Sequence, residues 1–418
     1  MSLAVTAAVA DPDLLFFPWD TPLEEWPEDL IVALPRGISR HIVRFVSING
    51  VIHAVKEIEE HFAKREYQLL LELTALGVPS VEATAVVSGR VDKNGEALPA
   101  ALITKHLEFS LPYRAVFSST PRADTAIRLL DALTLLFVRL HSVGFSWNDC
   151  SLSNTLFRRD AGAFAAYLVD AETGDIHPKL SDGQRAYDID TAVLNVTGEL
   201  MDLQAGGRLP DAVDPIPVGL SLRARYERLW NVLNTPVMIE YGNRTPLDQH
   251  IRRLNSMGFD VASIQMASID ADRQLVTVAA KVVDAGHHAR RLIRLTGLDV
   301  EENQARRLLN DLDGFRATTA ASISEEVVAH RWVMEVFEPI VMAVPEELRR
   351  KLEPAEIFHE VLEHRWFMAE RESRLVPIEE AVQAYIQDVL RSKPDEATVF
   401  GSPTGADDTV EMPIIKFD

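Results

Sequence analysis

Two short apolar runs flank Asn49-Gly50 near the start of the chain: Ile42, Val43, Phe45, Val46 and Ile48 precede it, and Val51, Ile52, Ala54, Val55 and Ile58 follow it. Asn-Gly supplies the positive-φ positions of a tight turn, so the pattern predicts a β-hairpin. The period then lengthens. A helix is expected from Phe62 to Leu76, stopped by Gly77 with Pro79 beyond it. Strands are expected from Ala83 to Val91 and from Ala100 to His106, separated by the turn-prone Asp92-Lys93-Asn94-Gly95. A long apolar helix from Ala123 to Ser142 ends before Gly144. A loop from Trp147 to Asn154 and short strands at Thr155 to Arg158 and Tyr167 to Val169 complete this half. Strands with one helix first and helices later is the order of a bilobal α+β protein.

Residues 11 to 35 do not follow either period. Five prolines, two tryptophans and a cluster of acids predict an irregular arm packed through its aromatics. Gly, Pro and Asp concentrate again at Gly206 to Pro217, which marks a boundary. Beyond it the pattern predicts a helix at Thr245 to Met257, strands at Val261 to Ser268 and Leu275 to Val282, and a helix at Glu301 to Asp311. Helices are then expected at Ser322 to Val341, Pro354 to Glu372 and Ile378 to Arg391. Residues Glu326 to Met334 recur 34 positions later as Glu360 to Met368, with six of nine identical. Without a third copy a solenoid is unsupported, and two related helices packed about a local two-fold are expected.

With 418 residues, 47% apolar and 25% charged, the chain has ample material for two domains and a substantial core. Its 42 Lys and Arg against 63 Asp and Glu give a net charge of −21, which argues against non-specific binding to nucleic acid or anionic lipid. Cys150 is the only cysteine, so no intramolecular disulfide or multi-thiolate zinc site forms within one chain. A reducing cytoplasm is the expected location. The apolar Met1 to Ala10 lacks the basic start of a secretory signal, and no apolar run approaches the roughly 20 residues of a membrane span.

Asp149 and Asn154 stand five residues apart in Asp149-Cys150-Ser151-Leu152-Ser153-Asn154, just after the helix ending in Leu140-His141. Asp170 closes an apolar strand in Tyr167-Leu168-Val169-Asp170-Ala171-Glu172, and upstream Ala54-Val55-Lys56 puts a lysine on the predicted hairpin. This order resembles the catalytic and metal-binding loops of the protein-kinase-like superfamily. In that chemistry one carboxylate meets the acceptor hydroxyl, hard oxygen ligands hold magnesium against nucleotide phosphates, and a fixed lysine meets the phosphates. The resemblance assigns Asp149 to the hydroxyl, Asn154 and Asp170 to the metal, and Lys56 to the phosphates of ATP. Glu66 on the following helix is the expected anion for Lys56, with Glu72 as the alternative. Arg65-Glu66-Tyr67 to Gly77-Val78-Pro79, then Leu140-His141 to Gly144-Phe145, most resemble the bacterial lipopolysaccharide (Kdo/WaaP-type) kinase branch. The whole chain resembles an actinobacterial arrangement that joins this domain to a C-terminal domain of unknown function.

The resulting organisation is an arm over residues 1–38, a kinase-like domain over 39–212, a mainly helical domain with a small strand pair over 213–391, and an acidic, disordered tail over 392–418. The departures are specific. No G-x-G-x-x-G loop exists, only Pro35-Arg36-Gly37; Trp147 and Asn148 replace the usual His and Arg; and Asp170-Ala171-Glu172 replaces Asp-Phe-Gly. The leading expectation is an ATP- and magnesium-dependent phosphotransferase acting on a sugar or other small-molecule hydroxyl. Its rival is a pseudokinase that binds nucleotide as a scaffold or regulator. A basic stretch, Ala285 to Leu298, with His287, His288, Arg290, Arg291 and Arg294, suggests an RNA contact or, more simply, pairing with internal acids. Glu326 with His330 and Glu360 with His364 would form a metal site only if the repeat helices packed symmetrically; a polar face anchored by Trp332 and Trp366 is the expectation. His359 and His364 are five apart, the wrong spacing for a helical zinc pair.

Overall fold

A computed structural model gives the architecture. It describes residues 3–9, 11–32, 34, 41–119, 124–234, 237–240, 245–256, 260–268, 273–281, 287–317 and 323–397. The first lobe is a five-stranded antiparallel sheet in the order β1-β4-β5-β3-β2, made from β1 (Ala4–Ala7), β2 (Val43–Ile48), β3 (Val51–Ile58), β4 (Ala83–Ser88) and β5 (Ala100–Lys105). The Asn49-Gly50 turn has φ of 51° and 80°, as a two-residue hairpin with this sequence requires. Helix α1 (Glu60–Ala75) covers one face of the sheet, where Ala63 and Tyr67 pack on Ile58, Val86 and Leu102.

The arm covers the other face. Leu14 and Leu23, on two short 3₁₀ turns, and Trp19 and Trp26 beside them pack with Val46, Val55, Val87 and Ile103. Strand β1, inside the expected 1–38 arm and ahead of its irregular stretch, extends the sheet edge by pairing with β4. Arg90, 1% exposed, ties arm to sheet by donating to the Trp19 and Thr21 carbonyls and to Glu57. Residues 35–40, including Pro35-Arg36-Gly37, lie outside the described residues.

The second lobe begins with β6 (Ser110–Pro112), α2 (Tyr113–Ser119) and α3 (Thr125–Ser142). The last is buried nearly all round, with Leu133, Phe137 and Leu140 at 0% exposure. It continues through β7 (Phe145–Ser146), β8 (Thr155–Asp160), β9 (Ala163–Leu168), β10 (Asp175–Ile176), α4 (Asp182–Ala205) and α5 (Pro215–Asn234). The predicted strands at Thr155 and Tyr167 are thus the two arms of one hairpin, longer than their apolar patterns indicated. Leu222, Tyr226 and Leu233 of α5 are buried in the same core as α3 and α4. The lobe's packing therefore continues past the Gly206 to Pro217 stretch.

Next come β11 (Val237–Glu240), α6 (Thr245–Ser256), β12 (Asp260–Ser268) and β13 (Arg273–Lys281), whose strands form a three-stranded antiparallel sheet where a strand pair was expected. The remaining helices are α7 (His287–Thr296), α8 (Glu302–Ala317), α9 (Glu325–Trp332), α10 (Glu338–Met342), α11 (Pro354–Glu372) and α12 (Ile378–Asp388). The single helix expected at Ser322 to Val341 is broken by a π-helical turn at Val333–Phe337, one turn before Pro339. A separate core forms here around Leu308, Trp332, Phe358 and Tyr385.

The basic positions of α7 pair with acids: His288 with Glu302, and Arg291 with Asp313 and Glu325. The repeat helices do not present matching faces. Glu326 and His330 are exposed, whereas Glu360 accepts from Tyr385 and Lys393. The tail expected to be disordered from residue 392 contains packed chain up to Ala397: Glu396 is 2% exposed and accepts from Arg159 of β8. Residues 398–418 lie outside the described residues.

Candidate active site

Alternation along β3 sends Val55 to the arm face and Lys56 to the α1 face. On α1 the buried stripe Ala63, Glu66, Tyr67, Leu70, Leu73 carries one carboxylate, Glu66, at 1% exposure. Its Oε2 lies 3.0 Å from Lys56 Nζ. Glu72 is exposed, so the alternative partner falls away. From the far lobe, Asp170 Oδ2 approaches Lys56 Nζ to 2.9 Å and Glu172 Oε2 to 3.6 Å. The ammonium thus joins the two lobes.

Glu172 was not singled out as a site residue, although the Asp-x-Glu spacing is visible in the chain. The backbone N–H of Glu172 donates to Asp170 Oδ1 (3.0 Å), a local turn that puts both carboxylates on one side. His41 Nε2 sits 3.0 Å from Glu172 Oε2. Arg65 donates to the Glu172 and Gly174 carbonyls and pairs with Asp175, tying α1 to the loop after Asp170.

Charge balance at this cluster is uneven. Burial opposes the Lys56 charge, but Glu66 and then Asp170 outweigh it and raise its pKa. Burial, then repulsion from Asp170, pushes Glu66 up to about 7 against the attraction of Lys56. Burial also opposes ionisation of Asp170, and there Lys56 wins and holds it below the usual carboxylate range. Carboxylate oxygens of Glu66, Asp170 and Glu172 lie within 4.8 Å of one another, a set of hard donors able to hold a cation.

The loop from Trp147 to Asn154 is held by one face of α4. Asp188, 0% exposed, accepts the backbone N–H groups of Trp147 (2.6 Å) and Asn148 (2.8 Å), and His141 Nε2 lies 3.1 Å away. Seven residues on, Asn195 donates to the Cys150 carbonyl; four further, Glu199 accepts from the Leu152 and Ser153 N–H groups. Steps of seven and four keep all three on one helix face. Asn148 takes φ of 66°, and Asn154 Nδ2 donates to the Asp149 carbonyl at 3.0 Å. Asp149 and Asn154 are both half-buried. Cys150 is fully buried, and burial raises its thiol pKa well above the ordinary value, so the thiol stays protonated. A carboxylate within a helix carries no sequence mark of burial, which is why the Asp188 and Glu199 roles were missed.

Between the lobes lies a cavity of about 430 Å³. Ala54 and Val81 line it with Leu156 and Val169, giving it an apolar part, while Lys56, Asn154 and Asp170 line it with polar groups. His106, on the connection between lobes, also lines it, and burial lowers its pKa to about 4. Asp149 is not among the lining residues. The structure therefore brings Lys56, Glu66 and Asp170 into direct contact, sets Asn154 on the same cavity, and keeps Asp149 one step behind Asn154 in the loop.

Residues 38–192 match the family model described as "Lipopolysaccharide kinase (Kdo/WaaP) family". This segment is a kinase-like domain of the lipopolysaccharide kinase type. Residues 228–390 match the "Domain of unknown function (DUF4032)". The chain accordingly joins a kinase-like domain to a DUF4032 region. No curated protein matches it. A solved structure titled "WaaP in complex with acyl carrier protein" is similar over 62% of this chain and 99% of its own, at 16% identity and a TM-score of 0.36. Among the described residues, no helix is long and apolar enough to cross a membrane.

Proposed function

We propose that the interlobe cavity binds ATP with magnesium and transfers the terminal phosphoryl group to a hydroxyl of a sugar or another small molecule. The observation that carries this reading is the Lys56 ammonium held between Glu66 at 3.0 Å and Asp170 at 2.9 Å at the cavity. Lys56 meets the phosphates, and Glu66 fixes the lysine. Asp170 and Asn154 offer a carboxylate and an amide oxygen, donors that suit magnesium. The ion supplies charge neutralisation at the phosphates when bound. Asp149 orients the acceptor hydroxyl and takes its proton as the oxygen attacks. The apolar part of the cavity takes the base of the nucleotide. The single, buried cysteine suits a cytoplasmic setting.

A second reading, nucleotide binding without transfer, is favoured by Glu172, which adds a third carboxylate beside Lys56. Turnover separates the two. Asp170→Ala is expected to remove the magnesium dependence of ATP binding, measured by thermal shift with and without the ion, and unchanged dependence refutes the metal assignment. Asp149→Asn is expected to keep nucleotide affinity and lose transfer. Transfer at the wild-type rate refutes that role, and binding with no transfer to any sugar acceptor in the wild type supports the scaffold reading.

A further inference from the structure

A second cavity, of about 350 Å³, shares no lining residue with the nucleotide cleft. It lies where α3, β9 and α5 of the kinase-like half meet the start of α8. Its apolar wall includes Leu135, Phe164, Leu229 and Val232, and Arg139, Arg225 and Arg228 bring three guanidinium groups to it. On α5 the residues 225, 228, 229 and 232 are spaced by three, one and three, so they share a face, and on α3 the residues 135 and 139 are one helical turn apart.

The acids that also line this cavity are each engaged. Asp131 pairs with Arg225. Asp160 accepts the Gln304 N–H and the Asn303 amide, Glu301 pairs with Arg158 and accepts from Tyr167, and Glu302 holds His288 and two backbone N–H groups. Arg139 and Arg228 differ: neither guanidinium has a carboxylate or hydrogen-bond partner among the described residues. Arg228 is exposed, but Arg139 is half-buried. Both guanidinium groups keep their nitrogens open to solvent at the cavity, so an anion seated beside the apolar wall would gain charge-assisted hydrogen bonds from them.

We infer that this cavity binds a small organic anion, an apolar group carrying a phosphate or carboxylate, with Arg139 and Arg228 receiving the anion and the Leu135, Phe164, Leu229 and Val232 wall receiving the apolar part. Three arginines over an apolar floor fit a compact amphipathic anion better than a free inorganic one, since the floor contributes only when apolar area is covered. The site spans the kinase-like half and the α8 segment, so an occupant touches both. It is separate from the nucleotide site and does not depend on phosphoryl transfer.

The test is calorimetric titration of the full chain with phenyl phosphate, benzoate and inorganic phosphate, each with and without saturating ATP. One site per chain is expected for phenyl phosphate or benzoate, and whichever binds more tightly identifies the head group. Inorganic phosphate should bind at least about tenfold more weakly, because it covers none of the apolar wall. Arg139→Gln and Arg228→Gln should each weaken binding by about tenfold or more, the loss of one charge-assisted contact. Arg223→Gln, on α5 but paired with Asp190 away from the cavity, should leave binding unchanged. Arg228 is exposed, so its variant reports even if Arg139→Gln perturbs folding, which a melting curve would show. No saturable binding of either aromatic probe up to about 1 mM, the weak end of specific recognition, overturns the inference. So does binding that ATP abolishes, or binding indifferent to both arginine variants.

Discussion

Asp188→Asn tests how the loop that carries Asp149 and Asn154 is held. In the wild type one Asp188 oxygen accepts from Trp147 N–H and His141 Nε2, and the other from Asn148 N–H. His141 Nδ1 lies 2.7 Å from the Tyr226 hydroxyl. Burial lowers the His141 pKa, against the opposing pull of Asp188, which fits a neutral ring donating from Nε2 and accepting at Nδ1. An asparagine has one acceptor oxygen. Whichever way its amide turns, a backbone N–H of Trp147 or Asn148 faces an NH₂ group and is left unsatisfied. An orphaned donor costs about 1–3 kcal/mol, and the bonds that remain lose the strength of a charged acceptor, so the total is about 3–4 kcal/mol. Tyr226→Phe removes one neutral hydrogen bond and should cost about 1 kcal/mol. Urea unfolding compared at equal m-value measures both. If Asp188→Asn costs no more than Tyr226→Phe, the carboxylate is not what holds the loop, and the account of the site is wrong.

Three further outcomes follow from the packing and charges. A fragment of residues 1–212 lacks α5, and Leu222, Tyr226 and Leu233 each bury about 1.5–3 kcal/mol of apolar side chain in the kinase-like core; their loss rivals the whole stability of a domain, so the fragment should not unfold cooperatively, and a soluble, cooperative fragment refutes this. Glu199→Gln should lower the transfer rate while leaving ATP affinity within about twofold, because Glu199 holds Leu152 and Ser153 and not the nucleotide; equal loss of affinity would show that the whole cleft had shifted. Burial first of all raises Glu353 to about 7, so between its ordinary 4.5 and about 7 the folded chain keeps a proton that the unfolded chain has released. Its contribution is present below 4.5 and lost as pH rises through 7. Glu353→Gln should therefore flatten the fall of stability with pH in that window, read from urea midpoints; parallel curves refute it.

Much of the backbone plan can be read from local pattern. The Asn49-Gly50 hairpin, α1 with its Gly77 stop, α3 and the Pro354–Glu372 helix follow from turn residues and periodicity, which act over a few positions and need no distant partner. The family resemblance picked out Lys56, Glu66, Asp149, Asn154 and Asp170, of which the fold brings Lys56, Glu66 and Asp170 into contact and sets Asn154 on the same cavity. Proximity was not legible in the local pattern. That Lys56 chooses Glu66 over Glu72 depends on which side of α1 meets the sheet, and that Glu172 joins them depends on a turn after β9. The arm's packing through its aromatics was legible, but not the sheet face it covers, because an irregular segment has no period that points to a partner surface. The buried acids Asp188, Glu356 and Glu396 escaped because an acid in a helix or tail reads as solvated until its donors, which lie far away in sequence, are folded around it.

The repeat makes the division clearest. His330-Arg331-Trp332 and His364-Arg365-Trp366 are the same three residues in two helices of one chain. Trp332 is fully buried, donating to Asp311 and packed on Phe337 and Phe358, whereas Trp366 is 58% exposed. Local sequence is nearly constant between them. What differs is the neighbour each helix face meets, since burial is a property of two surfaces and the repeat specifies only one.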